Sequence, residues 1–409
     1  MQEIMHCEVC GNTKLDPVLN LGNHPMCDDL VRVDDDRVCQ EYPIEILFCP
    51  ICITGHQRYQ VPKHELFPAS YHYRSRFTAD VLKGMRNLVE GCEQKFGNLS
   101  GKRVVDIGCN DGSLLGLFRE QGALTIGIEP TDAADDAKLN GHAVYKDYLS
   151  ESVAHELIET HGSPDFITFT NVFAHIEDLT EVLRAVKSMM AENTVVVIEN
   201  HYLGSVLNGN QFDTFYHEHP RTYSYTSFVH MAHELGVQIS GVDFPSRYGG
   251  NIRVFLGGPD KSAGIDQLKS DVDKREAAFE TSFSQMNSNI DRWKMNKVSQ
   301  LKALNKLYGP LRAKAFPGRA AILVKLLDLD ESSILAVYEK PGSLKIGHYL
   351  PGTRIPIRSD DDLFALSDQT QPLLNLAWHI PTEIRNYIAE HGYNGVVIDI
   401  MSAEDFVQK

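Results

Sequence analysis

The chain has 409 residues, enough for two or three domains, with 43% hydrophobic and 23% charged residues as in an ordinary folded protein. Its formal charge of -16 at pH 7 sets up a field that repels nucleic acid and anionic membrane surfaces, so neither is expected as a partner. The N-terminus MQEIMHCEVCG has no basic segment followed by an apolar run, and no window is long and apolar enough to span a bilayer. A cytoplasmic protein is expected, whose eight cysteines are thiols or metal ligands rather than disulfides.

In chain order, residues 1–65 read as irregular, with short β-like pieces such as Tyr42–Phe48, and can build little core without a staple. Cys7-Glu-Val-Cys10 and Cys49-Pro-Ile-Cys52 are two CxxC knuckles separated by thirty-eight residues. Each presents two thiolates on one tight turn, so the pair can enclose a tetrahedral ion. Cys27, Cys39, His6, His24 and His56 lie nearby but lack the paired spacing. Four cysteines leave no open coordination position, so structural Zn2+ without a catalytic part is expected. Neither knuckle opens the βαβ unit that a redox CxxC requires.

From about residue 78 to 245, β-branched runs alternate with helical patterns: VLKGMRNLVEGC, KRVVDIG, SLLGLFREQG, LTIGIEP, FITFTNVF, EVLRAVKSMM and TVVVIEN. That order indicates a parallel sheet covered by helices on both faces. Residues 264–307 are polar and periodic, without Pro or Gly after Gly264, and should form one long helix or two. After Pro310 a second alternation suggests a smaller α/β domain. The expected layout is a zinc-binding domain over 1–70, a Rossmann-like sheet domain over 71–262, a helical linker over 263–308 and a C-terminal Rossmann-like α/β domain over 309–409.

In Val104-Val-Asp-Ile-Gly-Cys-Asn-Asp-Gly112 a strand ends in a loop whose glycines allow close backbone approach and whose next residues begin a helix, a geometry that places amide donors at a ligand. The loop, with Asp106, Gly108, Asn110 and Gly112, resembles the D-x-G-x-x-x-G loop of Rossmann-like S-adenosylmethionine (SAM) methyltransferases. The next strand ends in Glu129-Pro130, where a ribose diol would need an acceptor. Asp147 and Tyr148 are placed to flank the adenine, and Asn171 to floor the methionine end.

The tract Tyr216-His217-Glu218-His219 packs a phenol, a carboxylate and two imidazoles into consecutive positions, costly to bury and suited to moving protons. Carbon methylation needs a base beside a carbonyl and donors for the resulting enolate, which these side chains supply. HEH lacks the i, i+4 histidines of a helical HExxH zinc site, so metal hydrolysis ranks well behind.

Over nearly its whole length the chain resembles the deoxysugar C-methyltransferases, which methylate C3 of a nucleotide-linked 4-ketohexose. The resemblance runs through LGNHP, YHYRSR (71–76), DIGCNDG, IEP, NVFAHIEDL (171–179), QFDTFYHEH (211–219), YGGNIRVFL (248–256), IGHYLPGTRIPI (346–357) and LAWHI (376–380). It implies His219 as the C3 base, with Glu218 polarising it or binding sugar hydroxyls. Tyr216, and Tyr71 or Tyr73, would hold the enolate or carbonyl; His175 and Asn171 would approach SAM or the acceptor. His217 is expected to be structural, since neighbours on an extended segment point to opposite sides. The family's GxGAxxKG loop appears here as Phe316-Pro-Gly-Arg-Ala-Ala-Ile-Leu-Val-Lys325, with its first glycine position lost, which leaves open whether that loop contacts the nucleotide.

The expected partner is a nucleotide-linked ketodeoxysugar, and the expected oligomeric state a monomer or weak dimer. An O- or N-methyltransferase would share the SAM half, and a non-catalytic zinc-stabilised binding protein is the rival of another class. The YHEH tract argues against the former, and intact Gly108, Gly112 and Glu129 against the latter. Arg247 and Arg253 are local donors that could dominate a cleft for an anionic ligand despite the net charge.

Overall fold

A computed structural model describes residues 1–67, 74–77, 79–259 and 265–407. The chain forms two compact units: residues 1–16, 47–206 and 218–280 make the first, and 17–46, 207–217 and 281–409 the second. The segment expected as one zinc-binding domain thus contributes to both. The YHEH tract also passes from one unit to the other, between His217 and Glu218.

The first unit is built on a seven-stranded sheet. Its order is Ile239–Asp243, Asn251–Gly257, Val195–His201, Phe166–Thr170, Arg103–Ile107, Leu124–Ile128 and Ala143–Tyr145. Asn251–Gly257 runs antiparallel to both of its neighbours. The pairs from Val195–His201 to Ala143–Tyr145 are parallel. Strands buried on both faces read as continuous apolar runs, and VVVIEN is buried at every position. Leu88, Leu99, Val104, Leu114, Phe118, Phe166, Val197 and Phe255 form a packed core on one face.

Local signals set the helix ends. Gly112, at φ 77°, turns the chain into the helix Ser113–Glu120. Asp178 accepts from Glu181 N, and Ser224 closes a capping box with Ser227. The carboxyl ends of the parallel strands therefore lie along one edge, where an open α/β sheet places its ligand.

The second unit carries a five-stranded parallel sheet in the order Ile357–Ser359, Ile334–Glu339, Leu311–Lys314, Leu373–Asn375, Val397–Asp399. The first strand in the chain sits at the centre, the doubly wound arrangement. The linker is two helices, Ile265–Glu276 in the first unit and Phe279–Tyr308, which belongs to the second unit from Thr281 onward. The N-terminal region is more regular than expected: Asp16–Pro25 and Glu41–Cys49 are strands of ten and nine residues. Alternation of outward polar and inward apolar positions outweighs the two prolines and the glycine of the first.

Candidate functional site

Cys7, Cys10, Cys49 and Cys52 bring their sulfurs within 4.8 Å of one another, all but Cys10 fully buried. Cys7 Sγ lies 3.3 Å from Cys52 Sγ, and Cys10 Sγ 3.6 Å from Cys49 Sγ. A tetrahedron with Zn–S bonds of about 2.3 Å has edges of about 3.8 Å, so the donor set fits a closed tetrathiolate site. The adjoining Cys49 sulfur and burial push the Cys7 thiol up to about 12, and Cys49 likewise holds the Cys52 thiol high. Four sulfurs so crowded cannot all ionise by themselves; a bound cation is what makes four thiolates tenable.

The loop after Arg103–Ile107 is held open by Gly108 at φ 68° and Asn110 at φ 50°. A Cβ on Gly108 would come within 2.7 Å of Val172 Cγ2. The amides expected to point at a ligand are instead taken by the protein. Gly108 N and Cys109 N donate to Ile128 O, Asn110 N to Glu129 Oε2, Gly112 N to Cys109 O and Ser113 N to Asp111 Oδ1. What surrounds the loop is acid: Asp106, Asp111 and Glu129 are 3%, 1% and 5% exposed. Burial, reinforced by the nearby Glu129 charge, lifts the Asp106 carboxyl to about 7 against the opposing hydrogen bond from Thr168. These carboxyl groups suit a ligand carrying positive charge, such as the sulfonium and ammonium of SAM, and repel a phosphate.

Glu129 Oε1 also accepts from Thr131 N at 2.9 Å and Thr131 Oγ1 at 2.5 Å. Three of a carboxylate's roughly four acceptor positions are thereby used, leaving one, on Oε2, for a ribose hydroxyl. Pro130 follows, half-buried. Asp147 is exposed and accepts from Tyr148 N at 2.7 Å, while Lys63 Nζ stands 4.5 Å over the Tyr148 ring. Asn171, at φ 55°, donates its amide to Glu199 O and accepts from Asn251 Nδ2 at 3.3 Å.

Arg247 and Arg253 are not open donors. Arg253 Nε and Nη2 both lie 2.6 Å from Glu199 Oε2, and Arg247 Nη1 lies 3.2 Å from Glu199 Oε1. Glu199, fully buried at the end of its strand, binds both, because an unpaired carboxylate there would be too costly. Sequence reading singled out the arginines and missed their partner.

His219 is 5% exposed, with its ring centroid 4.8 Å from His175 and 5.4 Å from His201. His175 Nδ1 lies 2.6 Å from Glu218 O. A carbonyl only accepts, so Nδ1 carries the proton and Nε2 of the neutral ring is an acceptor. Burial keeps His175 below the usual imidazole range, so it is neutral near pH 7. Glu218 is 7% exposed. His201, at the end of Val195–His201, was not singled out from the sequence; its place at the carboxyl end of a central strand was the available signal.

Tyr71 and Tyr73 lie outside the described residues. Tyr216 is half-buried, and His217, in the second unit, is turned to Tyr42 O at 3.1 Å. Upstream in the same unit, Asp213 accepts from Trp378 Nε1 at 2.8 Å and faces Arg319 Nε at 3.2 Å. The segment that replaces the glycine loop thus engages a carboxylate of this chain.

Three family models match the chain: a zinc binding domain over residues 7–67, a methyltransferase domain over 73–240 and a C-methyltransferase C-terminal domain over 246–398. The C-methyltransferase NovU of Streptomyces niveus is 26% identical over 405 residues, covering 97% of this chain and 96% of that protein. The ubiquinone biosynthesis O-methyltransferase of Escherichia coli K12 / DH10B is 31% identical over 96 residues, 22% of this chain and 40% of that protein's length. Among solved structures, the SAH-bound magnesium protoporphyrin IX methyltransferase of Synechocystis PCC 6803 covers 44% of this chain and 84% of its own, at 15% identity and a TM-score of 0.36.

Proposed function

We propose that this chain, which matches a C-methyltransferase C-terminal domain over residues 246–398 and is similar to a C-methyltransferase over 97% of its length, methylates C3 of a nucleotide-linked 4-keto-deoxyhexose through an enolate. The observation that carries this reading is buried His219 with its ring beside those of His175 and His201, which lie at or after the carboxyl ends of strands in the sheet that also carries the glycine loop. SAM, when bound, supplies an electrophilic methyl group; Asp106, Gly108, Asn110, Gly112, Glu129, Pro130, Asp147, Tyr148 and Asn171 are the residues that would hold it. The acceptor carbon becomes nucleophilic only when its proton is removed, and His219 takes that proton. Neutral His175 offers Nε2 as an acceptor towards SAM or the sugar. Glu218 orients His219 or binds sugar hydroxyls, and Tyr216, with Tyr71 or Tyr73, holds the developing enolate oxygen.

Similarity to the O-methyltransferase is confined to 96 residues, 22% of this chain. Incubation with SAM and a panel of nucleotide 4-ketodeoxysugars should give one substrate that gains a methyl mass on carbon. His219→Asn should keep SAM and nucleotide-sugar binding while turnover falls roughly 10²-fold or more. With a non-transferring SAM analogue, the variant should also fail to exchange the C3 hydrogen with deuterated water. Exchange at the wild-type rate would refute the assignment and move the base to Glu218 or the tyrosines.

A further inference from the structure

The metal knuckles carry a second set of contacts that closure of a tetrahedral site does not require. His56, fully buried, lies with Nε2 3.3 Å from Cys7 Sγ and Nδ1 3.6 Å from Glu8 Oε2. Glu8 sits inside the first knuckle, and the same Oε2 lies 2.6 Å from Arg221 Nη1 and accepts from Gln60 Nε2 at 2.7 Å. Arg221 is also fully buried. Its Nε donates to Tyr223 OH at 3.0 Å, and its Nη2 donates to the carbonyls of Ile176 and Glu177, the latter at 3.3 Å. Arg221 and Thr222 pair with His56 and Gly55 as antiparallel strands. The second knuckle is tied to the same stretch, since Cys52 O accepts from Ser224 Oγ at 3.3 Å and Ser227 Oγ at 3.1 Å.

One guanidinium therefore grips the two short segments that carry His175 and His219. Arg221 is two residues past His219, and Ile176 and Glu177 directly follow His175. A planar group with five donors in a fixed fork specifies the separation of what it bridges. A buried cation must also be paired, and Glu8 is the carboxylate that pairs it, held in place by the turn that Cys7 and Cys10 form.

We infer that Glu8 and Arg221 are positioning residues, through which the metal knuckle sets the distance between the His175 and His219 imidazoles. This rests on the reading of His219 as base only for its effect on turnover; the clamp itself is independent of which group removes the proton. The knuckles then do more than staple a core-poor segment, because their closure is transmitted through Glu8 to the spacing of the two rings.

The test uses the full chain with zinc bound, in three versions: wild type, Glu8→Gln, which keeps the shape and removes the charge, and Tyr223→Phe, which removes one support of Arg221 without touching any charge. The His175 Nδ1–H donated to Glu218 O should give a resolved downfield imidazole proton in NMR spectra of protein labelled with ¹⁵N-histidine. Glu8→Gln should shift or broaden this signal and that of His219, lower kcat at least tenfold, and leave KM for SAM and zinc content unchanged. Tyr223→Phe should do the same more weakly, and stripping zinc with a chelator should also remove the His175 signal. Unchanged imidazole signals with kcat within twofold of wild type in both variants would overturn the inference. So would a loss of activity fully explained by lost SAM binding or lost zinc. If Glu8→Gln does not fold, Tyr223→Phe and the chelated wild type decide by the same signal. If His219→Asn retains C3 exchange while Glu8→Gln moves the His175 signal, the base assignment fails and the clamp stands.

Discussion

His217 makes the second unit acid-sensitive. It is 3% exposed, and burial, with only the Tyr42 carbonyl in opposition, lowers its imidazole from 6.5 to about 4. The folded state therefore resists a proton that the unfolded chain accepts. The sign follows: stability from this group is complete above the unfolded value and is lost as pH falls from about 6.5 towards 4. A depression of that size corresponds to about 3 kcal/mol in full, of which about 2 kcal/mol is lost by pH 5. Buried His24 and half-buried His379, in the same unit, act in the same direction, with loss of solvent lowering His379 to about 3. The chain's two tryptophans, Trp293 and Trp378, both lie in this unit, so fluorescence during urea unfolding reports on it directly. With a urea slope of about 2 kcal/mol per M, the wild-type midpoint should fall by about 1 M between pH 7 and pH 5 from His217 alone. His217→Gln keeps a donor for Tyr42 O but cannot titrate, so its midpoint should fall by correspondingly less. Equal pH dependence in the two proteins would show that burial of this imidazole does not govern acid stability.

Purified protein should carry one zinc ion per chain, and Cys7→Ser should lower both metal content and melting temperature; metal analysis finding no zinc in folded, active protein would remove the tetrathiolate assignment. Glu129→Ala deletes a carboxylate bound by Asn110 N and by Thr131, and should weaken SAM by about 10- to 100-fold in calorimetry, the equivalent of about 1.5–3 kcal/mol for a hydrogen bond to a charged group. Gly108→Val should weaken it further, because a β-branched residue at φ 68° is strained and its Cβ meets Val172 at 2.7 Å; unchanged binding in both variants would place the cofactor elsewhere.

Sequence alone determined the features that depend on short spacing. Two CxxC pairs in a core-poor segment mark a pair of knuckles, a strand followed by a glycine loop and a helix declares an α/β turn, and β-branched runs at helical intervals imply the parallel sheet. His219 stood out because it closes the run Tyr216-His217-Glu218-His219, polar where a core would be apolar, whereas His175, flanked by Ala174 and Ile176, was marked only by the resemblance of its segment to the family. Local pattern did not reach Asp16–Pro25, where alternation competes with proline and glycine, or Leu311–Lys314, whose Arg312 and Lys314 look exposed and are 7% and 1% exposed. Lys314 Nζ is held 2.9 Å from Asp360 Oδ2, a carboxylate far along the chain that no window around Lys314 could supply. The same limit hid Glu199 as the partner of Arg247 and Arg253, His201 beside His219, and the line from Cys7 through His56 and Glu8 to Arg221. Charges and imidazoles of this kind are tolerated in a buried site only when residues distant in sequence pair with them, so the tertiary structure decides which of them meet.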